Sequence, residues 1–299
     1  MSGPRPDRGS FHGSGVSSIL PEAPAELTSG KLRRLGEGVG KVVYASEHWV
    51  VKRERTGFEI LALVVLWRGL RRLERILPWR IGRRLADRPA KQIRLLRLLV
   101  QAALLVVPKS IWFREHIKDL WWMYRSRNRR GDSLARRHLD GTELVPKRVE
   151  FPPTHVKVGG WPGWLTVSEA TERVEATLHQ HLSELARAGR FGELEEWLER
   201  FLTLRQAGWQ RGVFSVDAHL KNFGVIGGRV VLLDAGGLTD RWGDIEDRLD
   251  FEDVVSQPHV QLGLAAILGA RPDIGARFDE RWKAVVNRQV VRRHWPASP

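Results

Sequence analysis

The stretch from Phe223 to Asp234 constrains this chain more than any other. Gly224–Leu233 alternates as a β-hairpin does, and Gly227-Gly228 supplies the two-residue turn, where backbone at positive φ is needed. Such a hairpin returns Asp234, twelve residues past Asn222, to the neighbourhood of that asparagine. An amide oxygen and a carboxylate then lie together, both of the hard oxygen type that divalent cations take. Asp217, five residues before Asn222, stands on the same loop and is expected close by, as a carboxylate able to act as a base.

A second informative stretch lies near the start. Residues 31–52 read as strands around a glycine turn, Leu35-Gly36-Glu37-Gly38-Val39-Gly40-Lys41-Val42-Val43-Tyr44, followed by Trp49-Val50-Val51-Lys52. Val42, Val43, Val50 and Val51 are β-branched, which suits half-buried strands. Glycines in such a turn let the backbone approach a phosphate without a Cβ in the way. Taken alone, each feature has a plainer reading: Asp and Asn favour turns, glycines make hairpins, and a lysine ends many strands.

Their order along the chain resembles the protein-kinase-like superfamily, closer to its small-molecule branch than to ordinary protein kinases. Asp217-Ala218-His219-Leu220-Lys221-Asn222 is similar to the Asp-Leu-His-Pro-Gly-Asn of aminoglycoside phosphotransferases and lipopolysaccharide-sugar kinases. Asp234-Ala235-Gly236 stands where that family has Asp-Phe-Gly, and residues 36–40 resemble its glycine-rich loop with one residue fewer between the last two glycines. The resemblance implies an α+β, bilobal protein-kinase-like fold: a small β-rich lobe over about 31–165 with a helical insertion at about 78–140, and a mainly helical lobe over 166–299. It implies ATP and Mg²⁺ as cofactors, with Gly36, Gly38, Gly40 and Lys52 on the phosphates, Asn222 and Asp234 on the metal, and Asp217 as catalytic base. His219 takes the loop histidine position and is expected to be structural.

The chain also departs from that pattern. Ser215 stands where the family usually has a supporting histidine, so loop support must come from elsewhere. Lys52 and Asp217 are 165 residues apart, a long interval. The glutamate expected to pair with Lys52 is not identifiable among Glu59, Glu74 and Glu115. The expected function is therefore phosphoryl transfer from Mg-ATP to a hydroxyl acceptor, ranked as an envelope sugar or lipid, or other small molecule, ahead of a protein. The alternative is a catalytically inactive pseudokinase that docks a membrane or a partner.

Charge separates one segment from the rest. Between Arg68 and Arg137 there are 20 Lys or Arg against five Asp or Glu, which accounts for the whole excess of the +14 balance. The segment includes Trp112, Trp121 and Trp122 and a stretch with helical patterning at about 90–107, too short and too charged to span a bilayer, and a further helix expected over 58–77 runs into its start. Its three readings are an inserted helical pair with a basic outer face, a peripheral contact with an anionic membrane surface, and, ranked last, a nucleic-acid contact. The absence of cysteine excludes disulfides and thiolate metal sites. The opening segment has no apolar run of the signal-peptide kind and reads as a disordered tail to about Gly30; a cytoplasmic location, on the inner face of the membrane if the basic segment binds it, is expected. Downstream, Thr166-Val167-Ser168-Glu169 resembles a capping box opening a helix to about Arg187. A further helix is expected over Phe191–Gln206, closed by Gly208, and the acidic run Asp240–Asp250 reads as a solvated helix face.

Overall fold

The computed structural model describes residues 20–37, 41–56, 59, 126–160, 162–254, 257–269 and 271–296. The chain is mixed α and β, with a β-rich first part and helices concentrated later. A short helix α1 (Ala25–Ser29) leads into strands β1 (Lys31–Glu37), β2 (Lys41–Ala45) and β3 (Trp49–Glu54). Helix α2 covers 126–138, and β4 (Arg148–Val158) and β5 (Trp164–Glu172) follow. The five strands close into a barrel in the order β1-β2-β3-β5-β4, with only the β1–β4 pairing parallel. Alternate side chains point inward, as the pleat requires, so Leu32, Val42, Tyr44, Val51, Phe151, Val156 and Val158 fill the interior at 1% exposure or less. Pro152 and Pro153 lack amide hydrogens, and the β4–β5 register is irregular across them, between Glu150 and Thr154.

Three expectations are corrected here. Residues 25–29 are not tail: they form α1, and Leu27 is fully buried in the barrel core. Thr166–Glu169 opens no helix but lies in β5, where Thr166 and Val167 pair with His155 and Thr154. Inter-strand bonding and two β-branched residues outweigh the local capping pattern there, and the barrel therefore runs past residue 165 to Glu172. The capping box sits at Thr177 and Gln180 instead, and starts helix α3 (Leu178–Arg187) after the two-residue strand β6 (Ala176–Thr177). Finally, helix α4 (Phe191–Gln210) passes through Gly208, because Leu204, Arg205 and Trp209 bury the same face on both sides of it. The expected helices at 58–77 and 90–107 lie outside the described residues, as does all of the basic segment before residue 126.

The second part builds on α4. Strand β7 (Phe214–Ser215), a single 3₁₀ turn at Leu220–Asn222, the hairpin β8 (Phe223–Ile226) and β9 (Arg229–Leu232), a second 3₁₀ turn at Ala235–Gly237 and β10 (Leu238–Thr239) follow in order. Helices α5 (Trp242–Val254), α6 (Pro258–Gln261), α7 (Ala265–Leu268), α8 (Pro272–Val285) and α9 (Arg288–His294) complete the chain. A separate apolar core joins α3, α4 and the hairpin to α8; Phe201 at its centre meets Phe223 edge-on at 4.8 Å and stacks on Trp282 at 6.2 Å. The acidic run is a helix with one solvated face, but Ile245 and Leu249 bury the other completely. Among the described residues no helix is long and apolar enough to cross a membrane.

Candidate active site

The loop that carries Asp217 is anchored at both ends. Upstream, β7 pairs antiparallel with β10, Leu238 opposite Ser215, and Val216 N–H donates to Gly237 O at 2.9 Å. Buried Arg205 of α4 donates to the Ser215 carbonyl at 3.3 Å and lies over the rings of Phe214 and Trp282, at 5.0 and 4.7 Å. The loop support that Ser215 could not provide as a histidine would therefore comes from Arg205. Ser215 contributes in another way: its hydroxyl donates to the Asp217 carbonyl at 3.2 Å, and Asn222 Nδ2 donates to the same oxygen at 3.1 Å. Two donors thus hold the Asp217 backbone, while its carboxylate stays exposed. Downstream, fully buried Leu220 pins the loop into the core.

His219 serves this geometry. Its Nδ1 accepts from Lys221 N–H at 3.2 Å, which caps the 3₁₀ turn containing Asn222, and its ring stacks on His179 at 6.4 Å. Burial first, then the Lys221 charge, lowers its pKa against the pull of Asp217, so the imidazole is neutral near pH 7 and can accept that bond.

The hairpin forms as its alternation requires. Phe223 pairs with Leu232 and Ile226 with Arg229, and Gly227 and Gly228 take φ of 52° and 78°. Leu233 and Asp234 then both point their amides at the Asn222 carbonyl, at 2.8 and 3.3 Å. Asn222 and Asp234 are therefore neighbours, brought together by main-chain bonds. Asp234 Oδ1 accepts from Gly236 N–H at 2.9 Å and caps the next turn, with the carboxylate exposed. The two loops meet at Gly237, where an added Cβ would fall 2.8 Å from the Cβ of Asp217; only glycine permits that approach.

Lys52 reaches this cluster from the barrel. Its ammonium donates to the Leu233 carbonyl at 2.7 Å, across 181 residues of chain. Part of the side chain faces solvent, yet protein surrounds it. That partial removal from water, followed by the nearby Lys41 charge, pushes its pKa down, while Asp234 and Asp132 pull it back. Lys52, Asp217, Asn222 and Asp234 are thus brought to one place. Gly36 lies in β1 opposite Val43, just past a register irregularity, and Gly38 and Gly40 fall outside the described residues.

Helix α2 falls within the helical insertion expected at about 78–140, but sequence reasoning missed its contacts with the site. Arg127 Nε donates to Gly236 O at 2.8 Å, Arg130 pairs with Asp240 at 2.7 Å, and Asp132 pairs with Lys41 at 2.9 Å. One helix therefore touches both the Asp234 loop and β2. A signal was available: Asp132 is the only acid between Asp119 and Asp140, set in a run of arginines, and an isolated acid there calls for a partner. Among the described residues no acid is bonded to Lys52. Glu59 is held by Arg53 at 2.6 Å and by Thr56 N–H; burial acts to raise its carboxyl, but those bonds bring it down to about 2. Glu74 and Glu115 lie outside the described residues.

As metal donors, Asn222 and Asp234 suit a hard cation. The amide nitrogen of Asn222 is engaged with Asp217, which leaves its oxygen as the donor, and Asp234 keeps an oxygen beyond its capping bond. No group of three or more His, Cys, Asp or Glu side chains that could hold a metal occurs among the described residues. No protein-family model matches the chain, and no curated protein matches its sequence.

Proposed function

We propose that the chain is a bilobal, protein-kinase-like phosphotransferase that uses Mg-ATP to phosphorylate a hydroxyl group, with an envelope sugar or lipid as the first-ranked acceptor. The observation that carries this reading is the Lys52–Leu233 contact, which sets a strand lysine beside a paired Asn222 and Asp234 with Asp217 next to them. Lys52 would neutralise the phosphates beneath the turn at residues 36–40, and Asn222 and Asp234 would hold Mg²⁺. The metal, when bound, supplies charge that spreads over the transferred group. Asp217 would orient the acceptor hydroxyl and take its proton, its backbone fixed by Ser215 and Asn222 so that little reorganisation remains. The basic residues between Arg68 and Arg137 support an anionic membrane surface as the place where the acceptor is met.

The test is transfer from γ-labelled ATP with Mg²⁺ to a cell-envelope extract, comparing wild type with Asp217→Asn. Label only with wild type supports the reading, and the variant should lose roughly 10²–10⁴-fold in rate while keeping nucleotide affinity. Equal transfer by both proteins would refute the assignment of Asp217. One observation favours the second reading, a nucleotide-binding pseudokinase: among the described residues no acid is bonded to Lys52, and Asp132 engages Lys41 instead. Mg-ATP raising the melting temperature, with no label in any fraction, would establish that one.

A further inference from the structure

Lys41 has no role in the mechanism above, yet its position is specific. In the antiparallel pairing of β2 with β3, Val43 lies opposite Lys52. Lys41 is two residues from Val43, so it shares a sheet face with Lys52 and stands diagonally beside it, about 7–8 Å away backbone to backbone. Both ammonium groups leave the same face of the sheet. They reach the same neighbourhood, Lys52 to Leu233 O and Lys41 to Asp132 of the helix bonded to the Asp234 loop. The Lys41 side chain is only 17% exposed, against 39% for Asp132. Two cations on one partly enclosed face repel each other unless an anion lies between or beside them. Asp132 is the one acid bonded to either of them among the described residues.

Resting on the nucleotide reading above, we infer that Lys41 is a second phosphate-binding cation, that Lys41 and Lys52 together take a diphosphate or longer chain, and that Asp132 is the counter-charge which holds Lys41 until the anion arrives. An ammonium has three donors, so Lys41 can pass from Asp132 to a phosphate oxygen, or share itself between them, without a change of backbone. Helix α2 then registers the phosphates directly, since the residue that answers them lies two and five positions from Arg130 and Arg127 on the same helix.

The experiment is calorimetric titration of the full chain with Mg-free ADP, and with adenosine as a probe that carries no phosphate. Lys41→Met should weaken ADP about tenfold, the loss of one charge-assisted contact, and leave adenosine unchanged. Asp132→Asn should act with the opposite sign and tighten ADP several-fold, because it removes a competing negative charge. Damage to the fold would weaken both ligands in both variants, which the adenosine arm detects. Unchanged ADP affinity in Lys41→Met, with Lys52→Met losing it, would overturn the inference and leave the nucleotide site standing. Asp132→Asn weakening ADP as Lys41→Met does would overturn the counter-charge role. A wild type that binds neither probe would overturn both the inference and the reading on which it rests.

Discussion

Gly131→Ala offers a test in which two well-understood effects oppose each other. Within a helix the exchange normally stabilises by about 1 kcal/mol, through better propensity and a less mobile unfolded chain. At this position the new Cβ would lie 1.8 Å from the Ala235 carbonyl oxygen and 2.6 Å from its carbon. Both are backbone atoms of the turn after Asp234, so no side-chain rotamer relieves the clash. Restoring ordinary contact, near 3.5 Å, demands that helix and loop separate by about 1.5 Å. That displacement would stretch the Arg127–Gly236 bond of 2.8 Å and the Lys41–Asp132 pair of 2.9 Å. Overpacking of this kind costs about 1–3 kcal/mol and each charge-assisted bond lost about 1 kcal/mol more, so the clash outweighs the propensity gain. The expected net loss is about 2–4 kcal/mol, read as a lower urea midpoint by tryptophan fluorescence, with weaker ADP binding as α2 moves off the site. Gly192→Ala in α4 is the control, since its Cβ would meet nothing within 4 Å and should leave stability equal or slightly raised. If Gly131→Ala raised the midpoint as the control does, the close packing of α2 on the Asp234 loop would be wrong.

Other expectations follow from single contacts. Thr177→Ala removes the side chain that accepts from Gln180 N–H and should cost about 1 kcal/mol in urea unfolding, with no change in ADP affinity; no loss would deny the capping box at α3. His48 bonds Glu26 through Nδ1, its pKa raised mainly by that bond and that of Glu26 lowered by it. The histidine's contribution is therefore complete below its unfolded pKa and fades as pH rises through the raised folded value; the glutamate's fades as pH falls through its lowered value. A proton NMR titration should find His48 above the ordinary histidine value in wild type and back near it in Glu26→Gln. Lys52, its pKa lowered by partial removal from water, should react with an amine-specific acylating reagent at neutral pH faster than Lys31, and ADP should protect it. Equal labelling of the two lysines, with or without ADP, would contradict its placement beside the phosphates.

What could be read from the sequence alone was local in origin. The Gly227-Gly228 hairpin was legible because turn chemistry and alternation act over a dozen residues, and closing it delivers Asp234 to Asn222 whatever the rest of the chain does. Strands β1 to β3 were legible for the same reason. The false capping box at Thr166 marks the limit: the same local pattern occurs in β5, where bonds to β4 decide the outcome. The contacts that complete the candidate site are long-range. Lys52 meets Leu233 across 181 residues and Lys41 meets Asp132 across 91, and no periodicity encodes such pairs. They exist because barrel closure turns one face of β2 and β3 toward the hairpin, and because a glycine lets α2 approach a carbonyl more closely than any side chain allows. Residue types and spacing determined which groups could do chemistry; the packing of distant elements decided which of them stand together.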